Sequence, residues 1–205
     1  RSELPDAKIR VLPYSRHVRG TDRPFAERQG IVFVGSYQHP PNVDAVRYFI
    51  DAIMPLIRRR LPGVRLNVVG SNMPPEIQSL AARDISMVGF VQKLPSFLDG
   101  MRVNVAPLRY GAGIKGKIGY AMSVGLPTVA TSLAVEGMSL TEEETVLVAD
   151  TSEEFAEAVV RLYQDESLWN RMSRKGLEFS ERNWGAEAAW STLSSILNDV
   201  GFPIP

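Results

Sequence analysis

The chain has no cysteine, only two histidines, and no excess of either charge among its 205 residues. Without cysteine there are no disulfides and no thiolate metal sites, and a reducing compartment is favoured. His17 and His39 match no ligand spacing such as His-Glu-x-x-His, so no metal centre is expected. Lys plus Arg number 23 and Asp plus Glu number 23, a net charge of zero. No overall field therefore draws nucleic acid or an anionic membrane. There is no run of about 18 apolar residues and no signal-like apolar segment, so no part of the sequence reads as a membrane span.

What is present is an ordinary globular composition, 44% hydrophobic and 22% charged. A chain of this size buries roughly 70% of its unfolded surface, so a real core is expected. The sequence starts at Arg1 inside what reads as a strand, "KIRVLP", and is taken as a piece of a longer protein. Residues 13–30 are polar and broken and read as a linker.

Beyond that point short β-branched runs alternate with helix-period segments. The runs lie at 31–35, 64–70, 85–90, 102–107, 127–131 and 145–149, each bounded by Gly, Pro or polar residues, as buried parallel strands are. Between them, Asn42 is placed to cap a helix carrying Val43, Val46, Phe49, Ile50, Ile53 and Ile57, with Pro55 kinking it late. Pro74 or Pro75 opens a second helix, and "PSFLDGM" forms a short third one. "IKGKIGYAMSV" is a fourth helix, ended by Gly125. Thr151 or Ser152 caps a fifth, with Glu154 in its first turn. Two more follow near 165–176 and 184–199. The expected fold is α/β, a Rossmann-like doubly wound parallel sheet of about six strands. Its ligand crevice lies at the carboxyl ends of the strands, where strand order reverses.

The sixth absence is local. From Met101 to Val135 there is no Asp or Glu, while Arg102, Arg109, Lys115 and Lys117 are all present. The same stretch contains "GAGIKG" (111–116), which spells the dinucleotide fingerprint Gly-x-Gly-x-x-Gly. That fingerprint works in the first strand-to-helix turn of a unit, and here three strands precede the one that feeds it. The motif is therefore not read as an NAD loop. Gly111 and Gly113 let a backbone approach a ligand closely, and the cations favour an anion, a phosphate or diphosphate. Surface cations beside a tight turn are the plain alternative. His39 in the first loop is placed to reach such an anion, or is simply solvated. Trp169, Trp184 and Trp190 read as packing residues, and Arg58–Arg60 as a helix C-terminal cation cluster.

The order of "FVGSYQHPPNVDAVRYF", "PLIRRRLPGVRLNVVG", "MVGFVQKLPSFLDGMRVNVAPLRYGAGIKGKIGYAMSVGLPTVATSLAVEGM" and "VLVADTSEEFAEAVVRLYQDESLWNRM" resembles the C-terminal, nucleotide-sugar-binding domain of GT-B glycosyltransferases, family 4-like. The resemblance covers roughly residues 30–185. It implies a retaining transfer of a sugar from a nucleoside diphosphate sugar, of UDP or GDP type, to a glycan or lipid-linked acceptor in polysaccharide biosynthesis. No metal or other cofactor is implied. The acceptor would be held by an N-terminal domain outside this chain, and the setting would be cytoplasmic, peripheral at most to the inner membrane face.

On this resemblance residues 1–29 are the interdomain linker and the end of the other half, 30–183 the donor-binding domain, and 184–205 a C-terminal helix and tail. Gly35 and Ser36 would lie under the donor phosphates. Gly89, Phe90 and Val91 would meet the base. Arg109, Lys115 and Lys117 would serve catalysis by stabilising the leaving diphosphate, with Gly111, Gly113 and Ile114 lining the site. The family's two loop glutamates fall at Ala112 and Tyr120, so both acids are replaced here. Tyr120 would take the ribose position, and Glu136, the next acid in sequence, would stand in for the missing carboxylate or is simply a helix-start or surface acid. Two rival readings stay open: a non-catalytic relative that binds nucleotide or a partner, and another α/β enzyme such as an epimerase or dehydrogenase.

Overall fold

The apolar runs assemble into one six-stranded parallel sheet. The structure, a computed structural model, describes residues 10–12 and 15–202. The strands are β1 (Ile31–Val34), β2 (Leu66–Val69), β3 (Ile85–Gly89), β4 (Val103–Ala106), β5 (Thr128–Ala130) and β6 (Leu147–Val148). Their order is β3-β2-β1-β4-β5-β6, and every pairing is parallel. Order reverses between β1 and β4, which are direct neighbours. Each expected run becomes a strand, trimmed at its ends. The strand expected at "KIRVLP" is absent at residues 10–12, and the rest of that stretch lies outside the described residues.

The first crossover shows how local chemistry shapes the layer. Helix α1 (Pro40–Tyr48) begins three residues earlier than the sequence suggested. His39, not Asn42, holds the cap position, and the prolines occupy the first turn, where a missing N–H costs nothing. Pro55 then has no N–H to donate and its ring crowds the carbonyl one turn back. The chain answers with a π turn over Phe49–Ile53, closed by the Met54 N–H reaching the Phe49 carbonyl, before α2 (Met54–Arg60) resumes. The kink leaves Phe49, Ile53, Met54 and Ile57 all buried on the sheet. The arginines at the end of α2 form surface pairs, Arg58 with Asp84 at 2.6 Å and Arg60 with Glu157, as a helix C-terminus favours.

Short helices α3 (Pro75–Gln78), α4 (Leu94–Leu98) and α5 (Gly116–Met122) follow the next three strands. Gly125 closes α5 at φ +61°, as its position suggested. Helix α6 (Ser132–Val135) was not legible; Thr131 caps it by accepting from the Ala134 N–H. Helix α7 (Ser152–Gln164) carries the capping box between Thr151 and Glu154 and lays Phe155, Val159 and Val160 on the core, Phe155 edge-on to Phe49 at 6.1 Å. Helices α8 (Glu166–Trp184) and α9 (Ala186–Asp199) end the fold. Trp169 is buried and donates from Nε1 to the Arg102 carbonyl at 2.7 Å. Trp190 is 56% exposed on α9, so the packing role expected of it does not hold.

Residues 15–29 contain one 3₁₀ turn (Phe25–Glu27) and are fastened to the domain by Arg28. Arg28 is fully buried; it donates to Asp99 Oδ1 at 3.0 Å, to Thr21 Oγ1 at 2.5 Å and to the Val124 carbonyl at 3.1 Å. Burial lowers its pKa to about 10, against the upward pull of Asp99 and with the help of Arg23. A buried pair broken on one side leaves an uncompensated charge, which costs about 3–5 kcal/mol. Arg28→Ala is therefore expected to lower stability by ~3 kcal/mol in urea unfolding. A loss below ~1 kcal/mol would show that solvent already reaches Asp99 freely.

Candidate functional site

The loops after β1 and β4 meet above the switch point. At Gly111 φ is +122°, a conformation that favours glycine, and a Cβ there would lie 3.3 Å from the Pro41 ring at the start of α1. Gly35, ending β1, lies so close to Asn42 that a Cβ would fall 2.8 Å from its amide carbon. These two close approaches leave a crevice of about 470 Å³ between His39, Asn42, Leu108, Gly111, Lys115 and Lys117. The Gly-x-Gly-x-x-Gly stretch thus follows β4 and not β1, outside the place where a dinucleotide loop works.

The two lysines of this loop behave differently. Lys115 folds back on its own turn, donating to the Gly113 carbonyl at 2.7 Å. Lys117, in the first turn of α5, reaches under the first loop. Its Nζ donates to Asn42 Oδ1 at 2.5 Å and stands 4.1 Å from the centroid of the Phe33 ring. Although part of the residue is accessible, its amine is ringed by protein, and desolvation first, then the charge of Lys115, lowers its pKa to about 7. Helix α5 has only seven residues, so the side-chain cations and not its dipole carry the local charge.

The acid-free stretch is not acid-free in space. Arg109 forms a two-pronged pair with Asp44 of α1, Nε to Oδ2 at 2.9 Å, and stands 4.8 Å from the Tyr48 ring centroid. It sits at the crevice rim with its charge matched. Arg102 lies at the other end of β4, donating to the Phe25 carbonyl at 3.1 Å. Of the four cations in the stretch, the fold brings Lys115 and Lys117 to the crevice and Arg109 to its edge, and sends Arg102 to the far side of the sheet.

A second cavity, about 370 Å³, opens on the other side of the Ile114–Gly116 turn. Tyr120, Met138, Trp184 and Arg16 line it, with Ile114 and Lys115 shared between the two spaces. The Arg16 guanidinium stands 3.6 Å from the centroid of the Tyr120 ring. Trp184, the last residue of α8, packs against Gly119 of α5, where a Cβ would stand 3.3 Å from its ring, so a larger residue would push the ring outward. Arg16 and Trp184 were not legible as site residues: they arrive from segments about a hundred and about seventy residues away in sequence.

The remaining expected residues fall around these two cavities at different distances. The Ser36 carbonyl accepts from Asn42 Nδ2 at 2.7 Å, directly beside the crevice. Gly113 turns at φ +79° on its rim, and Ile114 is 61% exposed. Gly89 ends β3, the edge strand, two strands away from the switch point, and Phe90 and Val91 follow it. Phe90 is 74% exposed there, while Val91 packs under α5 with Ala121 and Val124. Glu136 is exposed at the end of α6, next to Gly137, which approaches Ile114. Among the described residues no group of three or more His, Asp or Glu is arranged to hold a metal.

A parallel sheet in this order with a cation-lined crevice over its switch point defines a Rossmann-like ligand-binding half-domain, the architecture of a GT-B C-terminal half. The sequence model of the glycosyl transferases group 1 family matches residues 28–165, more than half of the chain, and the chain belongs to that family. It is similar to an uncharacterised 44.6 kDa protein in the cps region of Klebsiella pneumoniae, 20% identical over 172 residues that make up 80% of this chain and 44% of that protein. Its fold is similar to a variant of S. aureus TarM solved with fondaparinux, α-GlcNAc-glycerol and UDP (TM-score 0.75, 13% identity, 90% of this chain and 38% of that one). It is also similar to the C-terminal domain of a glycosyl transferase group 1 family protein (LpcC) from Francisella tularensis (TM-score 0.66, 14% identity, 85% of this chain and 97% of that one). The chain thus spans less than half the length of the cps-region relative and of TarM.

A lysine amine of depressed pKa is chemically visible. Amine-directed labelling followed by mass spectrometry is expected to give Lys117 a reactivity midpoint of about 7, against about 10 for exposed lysines. The unfolded chain binds a proton at Lys117 that the folded chain lacks between those values, so this group makes stability rise with pH across that window. A midpoint near 10 for Lys117 would mean that its amine is solvated.

Proposed function

We propose that the chain is the donor-binding half of a retaining GT-B glycosyltransferase, holding a nucleoside diphosphate sugar with its diphosphate in the crevice between the β1 and β4 loops. One observation carries this reading. In a member of the group 1 family, the Lys117 amine is held at the switch-point crevice by a neutral amide, while the nearby acid, Asp44, is occupied by Arg109. Such a cation is kept for an anion that arrives from outside. Residues 30–183 form the donor domain on this reading, residues 1–29 lead from the acceptor-binding half outside this chain, and residues 184–205 lie against that boundary. The UDP bound by the S. aureus neighbour supports a uridine diphosphate donor, and the cps-region relative supports polysaccharide synthesis with a glycan or lipid-linked acceptor.

The chemistry follows from the charge. As the bond from the anomeric carbon to the diphosphate breaks, its electron pair collects on the diphosphate, and the acceptor hydroxyl oxygen forms the new bond to that carbon and passes its proton to an oxygen of the leaving diphosphate. Lys117 and Lys115 stand where that negative charge grows, so they act more strongly on the transition state than on the bound donor. Arg109 belongs to the rim and orients α1 through Asp44. Gly35, Ser36, Gly111, Gly113 and Ile114 shape the phosphate site. Tyr120 and Glu136 flank the ribose side, and Gly89–Val91 meet the base. A second reading, a non-catalytic relative that has lost the family glutamates and binds nucleotide or a partner, rests on Tyr120, which stands under Arg16 where the family places a carboxylate.

Calorimetric titration separates these. UDP is expected to bind, NAD is not, and Lys117→Met is expected to weaken UDP by about 10–100-fold, the worth of one charged hydrogen bond. If neither UDP nor GDP binds, the second reading stands; if NAD binds more tightly than UDP, the donor-site reading is wrong.

A further inference from the structure

Asn42 has two faces, and both are in use. It is 8% exposed, in the first turn of α1, and packed against Gly35 with no room for a Cβ between them. Its Nδ2 donates to the Ser36 carbonyl at 2.7 Å, which sets the amide's orientation and turns Oδ1 toward α5. Oδ1 accepts from Lys117 Nζ at 2.5 Å. Because the acceptor is an amide oxygen, the lysine is aimed without being neutralised. The charged neighbours agree with this: Lys115 from the β4 loop adds a like charge, Arg109 from the same loop is matched by Asp44 of α1, and β1 contributes only the Phe33 ring. His39 lines the crevice at the head of α1, and Glu136, after α6, lies outside that lining.

We infer that Asn42 is the positioning residue of the anion site: anchored on the first loop through Ser36, its side-chain oxygen holds the Lys117 amine at the crevice while leaving that cation's charge for the diphosphate. The inference rests on the donor-site reading for its ligand, but the aiming of Lys117 is testable without one. An aspartate has nearly the same shape and would supply a carboxylate at the same point. It would pair with the ammonium, hold its proton more firmly and repel an incoming anion. Alanine would release the lysine without adding charge.

The test compares wild type, Asn42→Asp and Asn42→Ala, each first shown to be folded by thermal unfolding. In Asn42→Asp the Lys117 labelling midpoint is expected to move up from about 7 toward the ordinary ~10. UDP affinity is expected to fall at least ~10-fold at neutral pH in both variants, by loss of a charged hydrogen bond's worth of aim or charge. Wild-type affinity is expected to weaken as pH rises through 7 to 9, and that slope to be lost in Asn42→Asp. A midpoint unchanged in Asn42→Asp overturns the inference whether or not UDP binds. An Asn42→Ala protein that binds UDP like wild type overturns it too, and covers the case in which the aspartate variant does not fold. A midpoint that moves as expected in Asn42→Asp, with a wild type that binds neither UDP nor GDP, refutes the donor-site reading and leaves the positioning role standing.

Discussion

Everything distinctive about this molecule depends on one amine being kept out of water without a counter-ion. Lys117 sits over an aromatic ring and on an amide oxygen, the two partners that hold a cation in place without cancelling it. Burying a charge in this way is unfavourable, and the fold offsets it by lowering the proton affinity of the group. The site is therefore biased electrostatically toward the neutral amine, and an anion bound beside it would favour the proton's return. A surface lysine would bind the same anion more weakly, because its charge is already screened by water.

The sheet supplies the geometry that makes this arrangement possible. In a parallel sheet whose order reverses between β1 and β4, the loops leaving those strands part to opposite faces and leave a gap between them. Here Gly111 lets the β4 loop close on Pro41, and Gly35 lets Asn42 lie against the end of β1. The π turn before Pro55 belongs to the same design at a distance. It lets α1 and α2 follow one path over the sheet in spite of the proline, so that the first turn of α1, with Asn42, is held against the strand end by a continuous apolar face.

Much of the fold was legible because its signals are local. Six β-branched runs bounded by Gly and Pro became the six strands, and the Thr151–Glu154 box capped the helix it announced. The errors came where two signals competed. Asn42 has the chemistry of a helix cap, but the two prolines before it open the helix earlier and free its side chain for Lys117. The acid-free stretch picks out a loop that lines the crevice, yet a window along the chain does not see Asp44, which reaches Arg109 from another element, nor that Arg102 lies at the opposite end of its strand. Arg16 over Tyr120 was invisible for the same reason: nothing near either residue in sequence announces the contact. The family resemblance pointed to the loop and the fold; which lysine is buried, and what aims it, needed coordinates.

The most direct test of the account is the proton balance of nucleotide binding. Titrating UDP into the protein near pH 8 in buffers of different ionisation enthalpy measures protons taken up per nucleotide bound, a quantity set by any group whose pKa the ligand raises. The account expects an uptake approaching about one proton in the wild type and almost none in Lys117→Met. Binding with no uptake in the wild type, or an equal uptake in both proteins, would contradict the claim that Lys117 is the cation that receives the diphosphate.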